Sequence, residues 1–261
     1  MNKYTDIVKK IHESPFKITF VSSGGGTNAI SSLLEVPGAS NTILESYIPY
    51  SKDSMDRFLN RKPDHYCSLD TCLSMGANAY KKSKEIDTKT KSKYLLGLSI
   101  TANLATTYEK KGDHKFFIVI QANDYTKYLE CFLEKGKRSR NEEEELITAC
   151  AISLLAESCG LNYPLPDQEE LINVNTIIAE KSWKKLFNNK VGFISNNKSN
   201  PELIFPGSFN PLHEGHMKMK ELAERKTGMH TTFEICAKNA DKPPLTYVEI
   251  KRTIDQFQND E

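Results

Sequence analysis

Lys17-Ile18-Thr19-Phe20-Val21-Ser22-Ser23-Gly24-Gly25-Gly26-Thr27-Asn28-Ala29-Ile30-Ser31-Ser32-Leu33-Leu34 is the stretch that sets the fold class. Lys17 to Val21 has the β-branched and aromatic content of a short strand, and Ala29 to Leu34 begins an amphipathic helix. Val36-Pro37-Gly38 stops that helix, because proline and glycine both interrupt it. Strand, glycine turn and helix in succession are the unit from which α/β sheets are built. The turn has two chemical uses. Its backbone N–H groups can cradle a phosphate, or it can display Ser23 as a nucleophile beside an oxyanion site. A turn that only reverses the chain is the third reading. No Gly-Lys-Ser/Thr follows, which excludes a Walker loop.

Working outward, a helix is expected from Ser51 or Lys52 to about Asn60. Another follows Ser68, with Leu69, Cys72, Leu73, Gly76 and Tyr80 near one face. Leu95 to Thr101 and Phe116 to Gln121 are apolar runs of strand length. Tyr125 to Glu134 alternates, so Ala122-Asn123-Asp124 reads as the turn of a hairpin. The basic run Lys135 to Arg140 precedes Asn141 and four glutamates. Asn141 is the expected N-cap, with the acids in the first helical turn where negative charge is favoured. From Leu161 to Asn200 the pattern weakens around Pro164, Pro166, Asn196, Asn197 and Asn200, and this stretch reads as a connection.

A net charge of +1 over 261 residues gives no global electrostatic case for nucleic acid or membrane partners. No apolar run reaches the roughly 18–20 residues of a membrane span. The N-terminus lacks an apolar signal core, so a cytoplasmic location is expected. The six cysteines show no metal-ligand spacing, and no metal is expected from them. His114, after a Gly-Asp turn, reads as a surface residue or a conceivable base.

A second strand–turn–helix unit starts at Leu203-Ile204-Phe205 and continues through Gly207-Ser208-Phe209-Asn210-Pro211-Leu212-His213-Glu214-Gly215-His216. His213 and His216 lie one turn apart where a helix begins, and a helix N-terminus favours an anion. Gly207 permits a tight turn and Gly215 leaves the helix start unobstructed. Such a site suits the phosphates of a nucleoside triphosphate. The same pair could also be half of a metal site or two surface histidines. Gly-Ser-Phe-Asn-Pro-x-His-x-Gly-His resembles the signature of the nucleotidyltransferase superfamily that includes nicotinamide mononucleotide adenylyltransferases and cytidylyltransferases. The resemblance runs on through Phe233-Glu234-Ile235-Cys236 and Asp241-Lys242-Pro243-Pro244-Leu245. It implies nucleotide-binding roles for Gly207, Ser208, Phe209, His213, Gly215 and His216, with ATP or CTP and Mg2+ as cofactors. The later arginine-containing segment of such enzymes has no counterpart before Glu261, so the segment reads as the front part of that domain.

Residues 15–160 resemble a second family. Ser22-Ser23-Gly24-Gly25-Gly26, Val36-Pro37-Gly38-Ala39-Ser40 and Tyr50-Ser51 are similar to the CinA C-terminal family, which includes amidohydrolases that deamidate nicotinamide mononucleotide. The resemblance implies Ser23 as nucleophile, with Tyr50 on the family's tyrosine; Lys52 is a candidate base on helical spacing alone, three residues from Met55 and so able to reach the same face. It implies Gly24, Gly25, Gly26, Thr27, Thr101 and Arg140 as substrate-binding residues, Arg140 meeting the substrate phosphate, and no cofactor. A guanidinium fork pairs well with phosphate oxygens. Two departures stand out. Met55 occupies the position of the family's lysine, and Ala102-Asn103-Leu104-Ala105-Thr106 lacks the family's glycines and proline. A serine needs an adjacent base to be a good nucleophile.

The expected fold class is therefore α/β: a CinA-like three-layer α/β domain over 1–160, a connection over 161–200, and a partial Rossmann-like nucleotidyltransferase segment over 201–261. Three functions fit: hydrolysis of a nicotinamide mononucleotide carboxamide, binding of such a nucleotide as a sensor or assembly module, or a nucleotidyltransferase that needs further residues. CinA-like domains often associate, so a homo-oligomer is a further partner expectation.

Overall fold

A computed structural model describes residues 3–108, 110–195, 201–238 and 242–258. Asp241 and the asparagines at 196, 197 and 200 lie outside the described residues. The chain divides into two compact units, Met1–Ile178 and Ala179–Glu261.

The first unit runs α1 (Thr5–Glu13), β1 (Lys17–Ser23), α2 (Thr27–Leu34), β2 (Ile43–Tyr47), α3 (Lys52–Leu59), α4 (Leu69–Ile86), β3 (Leu95–Asn103), β4 (His114–Gln121), β5 (Tyr125–Leu133), α5 (Arg140–Ser158) and β6 (Ile172–Ile178). The strands form one sheet in the order β2-β1-β3-β4-β5-β6. β2, β1 and β3 are parallel, and β4, β5 and β6 follow antiparallel. β1 sits between two parallel neighbours, which is why Ile18 to Ser22 are all buried rather than alternating.

Helices cover both faces, so the unit has three layers. On one side α1, α2 and α5 bury Ile7, Val8, Ile11, Ala29, Leu33, Ile147 and Ala151 against Ile18, Phe20, Leu98 and Ile118. On the other, Met55 and Leu59 of α3 and Met75 and Ala79 of α4 enclose Val21. α4 lies directly on β3. A Cβ at Gly97 would stand 2.3 Å from the Gly76 carbonyl oxygen and from the Tyr80 nitrogen. The β1–β2 register shifts between Ile18 and Thr19, and Ser83 of α4 accepts the Thr19 N–H at 3.0 Å.

Several boundaries differ from the sequence reading. α5 is capped by Ser139, not Asn141. The Ser139 N–H donates to Glu142 at 2.7 Å while the Ser139 hydroxyl oxygen faces the Glu142 N–H. That reciprocal capping box outcompetes a lone asparagine, and it makes Arg140 the first helical residue. The stretch 161–200 holds β6 and a further helix, α6 (Lys181–Phe187). Arg138 fastens the approach to β6 by pairing with both oxygens of Glu170. Lys137 reaches Glu169 at 2.5 Å, so the basic run is largely spent on local partners.

The second unit contains α6, β7 (Leu203–Gly207), α7 (Glu214–Thr227), β8 (Thr231–Ile235) and α8 (Tyr247–Gln258). β7 and β8 pair in parallel with α7 between them in sequence. The packing is aromatic: Phe209 meets Phe205, Phe233 and Phe257 at centroid distances of 5.7, 5.0 and 5.6 Å. Among the described residues, no helix is long and apolar enough to cross a membrane.

Two outcomes are expected. Gly97→Ala forces α4 off β3 and lowers stability by about 1–3 kcal/mol, read as a reduced urea midpoint. The Arg138 guanidinium beside Glu170 holds its carboxyl at about 2. That contribution is complete above the ordinary carboxylate range and is lost as pH falls through about 2. Acid titration of Arg138→Met, followed by circular dichroism, lacks this part of the pH dependence.

Candidate functional site

The glycine turn after β1 is shaped by its closeness to β3. Gly24 and Gly26 adopt φ of 80° and 86°, a region that suits glycine. A Cβ at Gly24 would lie 2.0 Å from the Ala102 carbonyl oxygen. The Ser22 hydroxyl donates to the Gly25 carbonyl and closes the turn. Ser23 and Thr101 are register partners at the carboxyl ends of β1 and β3. In an open α/β sheet, that end of the strands is where ligands bind.

Most of the residues singled out in this half of the sequence converge on that end. The Ser23 hydroxyl donates to the Pro49 carbonyl at 3.0 Å, bringing the Pro49-Tyr50-Ser51 turn to the site. The Tyr50 side chain is exposed. The Lys52 ammonium lies 5.7 Å from the centre of the Tyr66 ring. The Thr101 hydroxyl is buried and donates to the Tyr66 carbonyl at 3.0 Å. Arg140 extends from the first turn of α5 and donates to the carbonyls of Gly24 at 3.1 Å and Ala105 at 3.2 Å. Met55 does not take part: it is 1% exposed among Val21, Leu59, Met75 and Ala79. Among the described residues, the Ser23 hydroxyl has no hydrogen bond to a lysine or histidine.

Three groups emerge that the sequence reading did not place. Lys110 donates to Asn103 Oδ1 at 2.6 Å and to the Leu104 carbonyl. Burial and the nearby Arg140 charge lower its pKa below the usual lysine value. His114 is not a surface residue. It is 7% exposed, and its Nδ1 is 2.8 Å from Glu143, which is fully buried and accepts the Ala105 N–H at 2.6 Å. This pair pins the loop that carries Ala105 and Lys110. Third, Glu144 accepts the N–H groups of Gly26 at 2.7 Å and Asn28 at 3.0 Å, and the Thr27 hydroxyl at 3.3 Å. The donors at the start of α2, Thr27 included, thus already hold a carboxylate. The glutamate run reads in the sequence as a helix start. Its other signal is the four-residue step from Arg140 to Glu144, which puts both on one helix face.

In the second unit the loop between β7 and α7 borders an open cavity of about 450 Å³, lined in part by Gly207, Ser208, Phe209, Asn210, His213 and His216. Phe209 has φ of 45° and is 2% exposed, so its ring anchors the loop from inside. Gly207 leaves room for that ring, since a Cβ there would stand 2.6 Å from it. Gln256 of α8 braces the loop by donating to the Phe209 carbonyl at 3.1 Å and accepting the Leu212 N–H at 2.7 Å. His213 caps α7, and its ring stacks on His216 with centroids 3.7 Å apart. His216 Nδ1 accepts the His213 N–H at 3.3 Å. Gly215 makes this possible, because a Cβ there would lie 3.0 Å from His213 Nδ1. Among the described residues, no group of three His, Cys, Asp or Glu side chains could hold a metal ion.

No protein-family model matches the sequence, and no curated protein matches it either. Solved structures do. The CinA superfamily protein from Enterobacter cloacae superposes with a TM-score of 0.50 at 12% identity, over 61% of this chain and 94% of that one. A competence or damage-inducible protein from Enterobacter asburiae gives 0.49 at 14% identity, over 60% and 99% of the two chains. The competence/damage-inducible protein CihA from Agrobacterium tumefaciens gives 0.48 at 15%, over 59% and 94%. At 12% identity the likeness to the Enterobacter cloacae protein concerns the fold alone: the six-stranded sheet and its helices form a CinA-like α/β domain.

Proposed function

We propose that the carboxyl ends of β1 and β3 bind nicotinamide mononucleotide, or a closely related phosphorylated pyridine nucleoside, as a binding module rather than as a hydrolase. The observation that carries this reading is the pairing of two cations at one loop. Arg140 rests on the Gly24 and Ala105 carbonyls and Lys110 on the Leu104 carbonyl, beside the glycine turn. Two positive groups crowded together gain most from a dianionic phosphate, and the guanidinium supplies a planar fork for it. Hydrolysis is less well supported. The Ser23 proton is committed to the Pro49 carbonyl, Met55 is buried, and the Lys52 ammonium lies over Tyr66. Without a base in contact, the serine stays a weak nucleophile.

A second reading concerns the other unit, where ATP or CTP would set its phosphates against Ser208, His213 and His216, with Mg2+ arriving on the nucleotide. The support is the His213–His216 arrangement. A His216 Nδ1 that accepts a backbone N–H leaves Nε2–H as a donor.

Calorimetric titration of the full chain with nicotinamide mononucleotide, with mass spectrometry of the mixture, tests the first reading. Saturable binding is expected, weakened at least about tenfold by Arg140→Met, with no nicotinate mononucleotide formed. Product that disappears in Ser23→Ala would establish an amidase instead, and absence of binding would contradict both. A second check needs no ligand. In Arg140→Met the Lys110 pKa, followed by heteronuclear NMR, rises only part of the way to the usual lysine value, because burial, its larger cause, remains. An unchanged value would separate the two cations.

A further inference from the structure

The loop after β3 and the loop after β5 are tied together by a lysine. The Lys135 ammonium donates to the Lys110 carbonyl at 2.9 Å and to the Lys111 carbonyl at 3.2 Å. Lys110, on the first loop, donates to Asn103 Oδ1 at 2.6 Å and to the Leu104 carbonyl. Arg140, at the end of the second, donates to the Gly24 and Ala105 carbonyls. Burial lowers the Lys110 pKa most, the Arg140 charge next, and the Lys135 charge more weakly.

Every one of these acceptors is an uncharged oxygen. Among the described residues, Lys110, Lys135 and Arg140 make no ion pair, whereas Lys137 and Arg138 are matched by Glu169 and Glu170. The acids that follow Arg140 are committed elsewhere: Glu142 to Ser139, Glu143 to His114 and the Ala105 N–H, Glu144 to the start of α2. Lys135 is exposed, so an anion can reach it from solvent.

We propose that Lys135 extends the Arg140–Lys110 pair into a second phosphate subsite, so that this end of the sheet takes ligands with two linked phosphates. The inference rests on the reading that Arg140 and Lys110 hold a phosphate, and it adds a neighbour to that phosphate. A phosphate monoester carries about two negative charges at most, which leaves one of the cations Arg140, Lys110 and Lys135 unmatched. A diphosphate brings the further anionic group, and its oxygens make stronger, charge-assisted bonds to donors that now rest on carbonyls. An ammonium has three rotatable donors, so Lys135 can keep a carbonyl while it takes a phosphate oxygen.

Calorimetric titrations of the full chain with inorganic phosphate and inorganic pyrophosphate test this. The native chain is expected to bind pyrophosphate at least about fivefold more tightly. Any cationic surface favours the more highly charged ion, so the decisive comparison is between two neutralised lysines. Lys135→Gln keeps a donor for the Lys110 and Lys111 carbonyls. It is expected to remove most of the pyrophosphate advantage while leaving phosphate affinity within about twofold. Lys137→Gln makes the same charge change on a lysine already matched by Glu169, and is expected to keep the advantage. Equal affinities in the native chain, or equal losses in the two variants, would overturn the proposal. Adenosine diphosphate and nicotinamide adenine dinucleotide separate a terminal from a bridging diphosphate. Whichever binds is expected to lose affinity in Lys135→Gln only, and binding of both that ignores Lys135 would count against the subsite. Pyrophosphate binding that needs Lys135, without binding of nicotinamide mononucleotide, keeps the subsite and rejects the ligand assignment. Mononucleotide binding that needs Arg140, with no pyrophosphate advantage, does the reverse.

Discussion

The approach of the Gly24-Gly25-Gly26 turn to the end of β3 is the constraint on which the site depends. With 2.0 Å between an imagined Gly24 Cβ and the Ala102 carbonyl oxygen, any side chain there would drive the turn away from the sheet. Because the turn stays close, Ser23 and Thr101 end side by side, and α5 can reach the turn with Arg140 and Glu144 together. The buried His114–Glu143 pair serves the same end from beneath by holding the Ala105 N–H. One backbone approach thus fixes a cation pair and an internal anion at one end of the sheet.

Charge in this protein is arranged locally, not globally. A net charge of +1 conceals a sheet end where lysine and arginine crowd together and a carboxylate fills a helix start. The basic run 135–140 shows the same economy. Lys137 and Arg138 tie down Glu169 and Glu170 ahead of β6, and only Arg140 turns toward the glycine loop. A compositional reading averages over these distinctions, which only the fold makes visible.

Strands β1, β3, β4 and β5, the glycine turns and the helices after Ser51 and Ser68 were legible because periodicity, caps and glycine placement are local properties, whereas β2 was not read. Ser23, Thr101 and Arg140 were nameable from resemblance, and all three lie at one end of the sheet. The partners of Glu143 and Glu144 were not legible. Their neighbours are far away in sequence, and the first-turn position already gave the glutamates a sufficient local explanation. β6 escaped for a similar reason: Ile172 to Ile178 is flanked by weak signals, and it forms a strand because β5 offers it an edge. His114 looked exposed beside a Gly-Asp turn because its buried carboxylate partner comes from α5.

On the proposed function, the glycine turn, Lys110 and Arg140 together hold the phosphate of a pyridine mononucleotide. A crystal structure of the full chain grown with nicotinamide mononucleotide tests it most directly. The phosphate is expected within hydrogen-bond reach of Arg140 and Lys110, with Glu144 still bound to Gly26 and Asn28. A nucleotide whose phosphate instead displaces Glu144 from the start of α2, or lies away from both cations, would contradict it.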